Sequence, residues 1–210
     1  MKDRDMVELD HLAVAAETLE AGRAHVEDAL GVALQPGGAH PDFGTHNLLL
    51  GLEDGLYLEV IAIDPAASAP GRARWFDLDR FTGTPRLANW ICRCDDLEVA
   101  LAAAPAGAGV PVELVRGDLR WRMAVPGDGV LPFGGCFPAL LQWRGAGHPA
   151  ARLAASGCRL RRLVLAHPEA RALRTALAAV LDDDRVVVEA GAAPALVAEF
   201  DTPHGRRSLA

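Results

Sequence analysis

The sequence predicts an α+β fold: two tandem βαβββ modules followed by a partial βαββ unit. Three observations predict it. Short apolar runs bounded by Gly, Pro, Asn and Asp recur along the chain and read as strands. Amphipathic stretches with helical spacing follow the opening strand of each unit. The order strand–helix–three strands occurs twice, with residues 9–13 falling on residues 87–91 and residues 17–20 on residues 95–98.

Residues 8–14 form the first strand and residues 18–30 a helix, with Gly31 as its stop. Residues 32–34 read as a short strand. Residues 35–45 hold Pro36, Gly37, Gly38, Pro41 and Gly44 and read as a surface loop carrying His40, Asp42 and Phe43. Residues 46–52 and 56–64 make a hairpin about the turn Glu53-Asp54-Gly55. A connector follows, residues 65–86, with Trp75 and Phe76 packing as a short helix. The second module spans residues 87–145: a strand at 87–92, a helix at 97–104, and strands at 112–115, 119–125 and 138–143. The first module occupies residues 7–64. The C-terminal unit, residues 158–205, has strands at 159–166, 185–189 and 196–201, a helix at 169–181, and a closing turn at 202–205.

Composition narrows the function. The 210 residues carry a net charge of −7, and the Arg residues are scattered among acids, which argues against a nucleic-acid partner. No apolar run is long enough for a transmembrane helix, and no signal peptide is visible, so a cytoplasmic protein without a membrane partner is expected. Cys92, Cys94, Cys136 and Cys158 lack zinc-site spacing and read as free thiols of a reducing compartment.

Two residues are out of place for packing alone. His11 and Glu59 each sit in an otherwise apolar strand, and a carboxylate in such a run needs a partner. Both types are good ligands for Zn, Fe, Mn, Co or Ni. A hairpin centred between Glu53 and Asp54 puts His46 on the face of Glu59 and completes a two-His-one-carboxylate set. A hairpin centred on Asp54 puts His46 on the opposite face. In the second module, Trp90, Trp121 and Trp143 read as core or as an aromatic wall. Arg122 reads as an anion contact and His148 as a cap on the cleft. Asp10 and Tyr57 are further cleft residues.

The strings Leu9-Asp10-His11-Leu12-Ala13-Val14, His40-Pro41, Gly44-Thr45-His46-Asn47 and Tyr57-Leu58-Glu59-Val60-Ile61 resemble the vicinal oxygen chelate superfamily, specifically its glyoxalase-like branch. Arg120-Trp121-Arg122, Leu141-Gln142-Trp143 and His148-Pro149 fit the same branch. The resemblance implies that the modules form a curved, partly closed mixed sheet around a cleft. It implies a small-molecule enzyme of lyase, isomerase or dioxygenase type acting on an oxygen-rich substrate, as a monomer or homodimer. His11 and Glu59 are then the catalytic pair, and His11, Glu59 and His46 the ligands of one divalent ion if one is bound. Where relatives place further ligands, this chain has Asn89 and, by the alignment of the last strands, Gln142. Together with Trp90, Arg122, Trp143 and His148 they are the expected substrate contacts. A metal-free binding protein of the same fold is the alternative.

Overall fold

Strand β1 (Glu8–Ala15) lies in the middle of an eight-stranded mixed sheet, and the rest of the chain is arranged about it. The computed structural model describes residues 6–145 and 147–210. Helix α1 (Leu19–Leu30) starts at Thr18, whose hydroxyl accepts from the Ala21 N–H. It buries Gly22, Val26 and Leu30 and ends at Gly31. Then come β2 (Gln35–His40), β3 (Thr45–Gly51) and β4 (Tyr57–Ile63). The same order returns in β5 (Arg86–Arg93), α2 (Leu97–Ala103), β6 (Val110–Arg116), β7 (Leu119–Val125) and β8 (Ala139–Arg144). The spatial order is β2-β3-β4-β1-β5-β8-β7-β6. β1 and β5 pair antiparallel, with His11 opposite Ile91, and each pairs in parallel with the last strand of its own set. The sheet curls into a half-barrel, and its edges meet where Arg116 of β6 reaches His40 of β2.

Strand alternation gives this sheet two apolar faces. The outer face carries Leu12, Val14, Leu58, Val60, Trp90 and Leu140 in one core with α1 and α2 residues. The inner face carries Ala13, Ile61, Ile91, Met123 and Leu141. The connector fills much of that concavity. Trp75 and Phe76 are buried in a short helical turn, and Trp75 stacks on Phe43 with ring centroids 4.0 Å apart. Burying each such ring contributes about 2–3 kcal/mol, which fixes the connector to the sheet.

The C-terminal residues build a second sheet, ordered β10-β9-β11-β12, from β9 (Arg159–His167), β10 (Val186–Ala190), β11 (Ala195–Thr202) and β12 (Gly205–Leu209), with α3 (Ala170–Leu177). Leu160, Leu163 and Phe200 join the outer core.

Three elements differ from expectation. Residues 35–40 form strand β2 rather than a loop, and residues 32–34 are not a strand. As an edge strand, β2 accommodates Pro36, and its register shifts between Pro36 and Ala39. Asn47 fills the shift by accepting the Gly38 N–H (2.7 Å). Gly37 is required here, because a Cβ would lie 2.0 Å from Asn47 Oδ1. Strand β12 went unpredicted because Gly205–Leu209 is an exposed, polar edge without apolar alternation. Helix α3 is also shorter than the expected 169–181, ending at Leu177.

Candidate active site

His11 stands on the inner face of β1, held from behind by its neighbour in sequence. Its Nδ1 lies 2.6 Å from Asp10 Oδ1. The other carboxylate oxygen of Asp10 accepts from Trp143 Nε1 and from His148 Nε2, each at 2.9 Å. The Ala150 N–H donates to His148 Nδ1, which leaves His148 protonated at Nε2 and able to make that second bond. Asp10 is fully buried. Burial alone would raise its pKa, but hydrogen bonds and charge from His11 and His148 outweigh it and hold the carboxyl well below the usual carboxylate range. The ionised Asp10 therefore accepts a hydrogen bond from the Nδ1–H of His11. Nε2 is left facing the cavity, 3.7 Å from Glu59 Oε2. Tyr57 stacks under the imidazole at 4.2 Å and fixes its plane. Burial, with Asp10 and Glu59 nearby, pushes the Tyr57 phenol well above its ordinary value and keeps it neutral.

Glu59 sits on the inner face of β4, where its Oε1 accepts from Asn47 Nδ2. Asn47 Oδ1 in turn faces Arg116 Nη1 at 3.5 Å, and the same nitrogen donates to His40 Nε2 at 2.9 Å. A guanidinium can only donate, so His40 is neutral with its proton on Nδ1, beside Thr45 Oγ1. Burial first, then the positive charge of Arg116, push His40 down to about 3. No described carboxylate forms an ion pair with Arg116. The cavity these residues line measures about 40 Å³, closed by Trp75, Phe76, Trp121, Met123, Leu141 and Trp143.

The depressed His40 makes stability pH-dependent. The unfolded chain takes up a proton near pH 6.5, whereas the folded one resists until about 3. Stability from this residue is complete above pH 6.5 and is lost on acidification, at about 1.4 kcal/mol per pH unit. Urea melts at pH 6.5 and 4.5 should show the wild type losing about 2 kcal/mol more than His40→Gln; equal losses would contradict a buried neutral His40.

Of the expected site residues, His11, Tyr57, Glu59, Trp121 and Trp143 meet at this cavity, with Asp10 directly behind His11. The others do not, and strand register is the main reason. The hairpin is centred on Asp54, which adopts φ 65°: Leu49 pairs with Glu59, Asn47 with Ile61 and His46 with Ala62. His46 therefore lies on the opposite face from Glu59, and Asn47 takes the place expected for it. In β8 the inward residues are Leu141 and Trp143, so Gln142 points outward and donates to the Asp95 carbonyl. Arg122 of β7, paired with Gln142 of β8, points outward too and is held by Glu98 and Glu113. The inner-face residues of β5 and β8 that mirror His11 and Glu59 are the apolar Ile91 and Leu141. Trp90 is fully buried in the outer core, with Nε1 donating to the Cys136 carbonyl. Asn89 lines a different cavity. His148 supports Asp10 from behind.

Arg116, Asn47 and His40 were missed as site residues. Arg116 is two positions beyond the inward Leu114 on β6, so alternation alone points it inward. Asn47 adjoins His46 and follows from the other hairpin centre.

The model of the glyoxalase-like domain family matches residues 9–181. The chain belongs to that family. The domain lies within the vicinal oxygen chelate superfamily. Its fold is similar to a hypothetical protein from Staphylococcus aureus, at TM-score 0.62 and 13% identity over 90% of this chain and 88% of that one. It is also similar to a Mn(II)-bound glyoxalase from Novosphingobium aromaticivorans, at TM-score 0.53 and 12% identity over 97% and 82%. Methylmalonyl-CoA epimerase from Mycobacterium tuberculosis aligns at TM-score 0.44 and 19% identity over 70% and 93%. No curated protein matches the chain.

A divalent metal in that fold needs a donor set, and this glyoxalase-like domain provides half of one. His11 Nε2 and Glu59 Oε2 are close enough to share an ion. Among the described residues, however, no group of three His, Cys, Asp or Glu side chains converges on such a point. Asn47 turns its nitrogen, not its oxygen, to Glu59. The residues present do not fit a resident transition-metal ion. Among the described residues no helix is long and apolar enough to cross a membrane.

Proposed function

We propose that this protein is a small-molecule enzyme that moves a proton at a carbon next to a carbonyl, on a small 2-oxo or 2-hydroxy acid. The observation that carries this reading is His11 set between two buried carboxylates, Asp10 and Glu59, in a cavity whose wall includes Arg116, which has no ion pair among the described residues. Nε2 of His11 takes the proton, and both carboxylates stabilise the resulting imidazolium. Arg116 meets the substrate carboxylate or the developing enolate oxygen, in a site where water is scarce. Asn47 holds Glu59 in place. Trp121 and Trp143 form the apolar wall.

A cavity of about 40 Å³ accommodates roughly one water, so an organic acid enters only when Trp75 and Phe76 move aside. These residues sit on the connector rather than on a hydrogen-bonded strand, so admitting an acid means displacing their buried rings, at a cost of about 2–3 kcal/mol each.

Incubating the protein in D₂O with pyruvate, 2-oxobutyrate and lactate, and following deuterium incorporation by proton NMR, tests the proposal. Enzyme-dependent incorporation into at least one acid is expected. Incorporation equal to the buffer control for every small oxo and hydroxy acid would sink it.

The half donor set also has a testable consequence. Millimolar Mn(II) should raise the melting temperature by no more than about 1 °C, because two ligands bind too weakly to shift the equilibrium. A rise of several degrees that disappears in His11→Ala would establish a metal site.

A further inference from the structure

A second, far larger cavity lies between the connector, β5, the turn before β8, and β11 of the C-terminal sheet. Its volume is about 720 Å³, within the range of organic-ligand pockets. Phe76, Leu87, Leu131 and Leu196 supply apolar walls. The polar groups among them are few. Asn89 is 96% buried, lines this space, and its amide makes no hydrogen bond with any described residue. His25 Nε2 is buried without a partner. Arg86 lies over Phe81 at 4.2 Å, donates to the Thr82 carbonyl at 3.2 Å, and has no ion pair with a described carboxylate. Arg80 and Asp77 at the rim neutralise each other. Gly135 (φ 88°) is needed to keep the amide accessible, since a Cβ there would lie 2.8 Å from Asn89 Nδ2.

A buried polar atom without a partner, as His25 Nε2 is here, is rare in folded proteins because it forgoes its hydrogen bonds to water, and the Asn89 amide beside it faces the cavity itself. Here the amide, an imidazole and a guanidinium surround an apolar hollow. We infer that this cavity is a binding site for a monocarboxylate with an apolar body, distinct from the His11 pocket. The carboxylate meets Arg86 and His25, Asn89 donates to it or to an adjoining oxygen, and the body lies along Phe76, Leu131 and Leu196. Phe76 also lines the His11 cavity, so an occupant here bears on a wall of the smaller pocket.

The test uses 3-phenylpropionate as the probe, with binding to the full chain followed by calorimetry and by backbone NMR shifts. Saturable binding is expected, with shifts centred on β5 and β11. Leu196→Trp, which fills the hollow, should weaken it at least 10-fold, as should Asn89→Leu. Arg86→Gln should weaken 3-phenylpropionate but not 3-phenylpropionamide, whereas His11→Ala should leave affinity within about 2-fold. Circular dichroism confirms that each variant is folded, and the two Arg86 measurements on one variant are independent of its stability. Absence of saturable binding at millimolar probe, or binding that Leu196→Trp leaves intact, or binding lost in His11→Ala, would overturn the inference. Because His11 is untouched by the cavity variants, a failure here is distinguishable from a failure of proton transfer in the smaller pocket.

Discussion

Asp10→Ala is expected to lose about 3–5 kcal/mol of unfolding free energy at pH 7, in urea melts followed by tryptophan fluorescence. The carboxylate accepts from His11, His148 and Trp143, three side chains drawn from β1, β8 and the turn beyond it. Removing the acceptor strands all three donors in a region that water does not reach, and each unmet donor costs about 1–3 kcal/mol. Relaxation of His148, which is partly exposed, recovers some of this loss. Asp10→Asn should lose less than Asp10→Ala, because its oxygen still accepts while its nitrogen opposes a donor. The pH dependence has a definite sign. The folded carboxyl is depressed, so its contribution is present above the unfolded value near 3.9 and disappears as pH falls through the lower folded value. A loss below about 1 kcal/mol in Asp10→Ala would mean that the three donors find other partners.

His11→Ala is expected to lower the rate of proton exchange on a responsive 2-oxo acid by about 10²–10⁴-fold, the usual contribution of a positioned general base. Asp10 orients the imidazole and Tyr57 fixes its plane, so the ring enters the reaction already aligned. Glu59→Gln should cost less, because it removes a stabilising charge but keeps the volume and an acceptor oxygen. Arg116→Gln should raise KM more than it lowers kcat if Arg116 holds the substrate carboxylate. The reverse split would place Arg116 on the enolate oxygen.

The positions of His11 and Glu59 were legible because ionisable groups inside apolar strands contradict packing, and the contradiction is local. The repeat of strand, helix and three strands was legible in the residues themselves, and the half-barrel came from the resemblance that the short motifs carry. What stayed hidden depends on register and on distant pairing. One residue of slip in the hairpin decides between His46 and Asn47, and Asp54 in a left-handed conformation settled it. The same parity sends Gln142 and Arg122 outward and Leu141 inward. Arg116 reaches His40 only because the two sheet edges meet, and nothing near either residue in the sequence announces that contact. Strand β2 was obscured by Pro36, Gly37 and Gly38, which read as a loop but form an irregular edge strand. The filling of the concavity by Trp75 and Phe76 was only partly legible: the aromatics marked the connector as packed, but not where.

Proton transfer by His11 is tested most directly by the rate of deuterium incorporation into a 2-oxo acid by three proteins: wild type, His11→Ala and Arg122→Gln. It predicts enzyme-dependent exchange in wild type, a loss of at least 100-fold in His11→Ala, and a rate within about 2-fold of wild type in Arg122→Gln, whose side chain is bound to Glu98 and Glu113 outside the cavity. Equal rates in wild type and folded His11→Ala would contradict it.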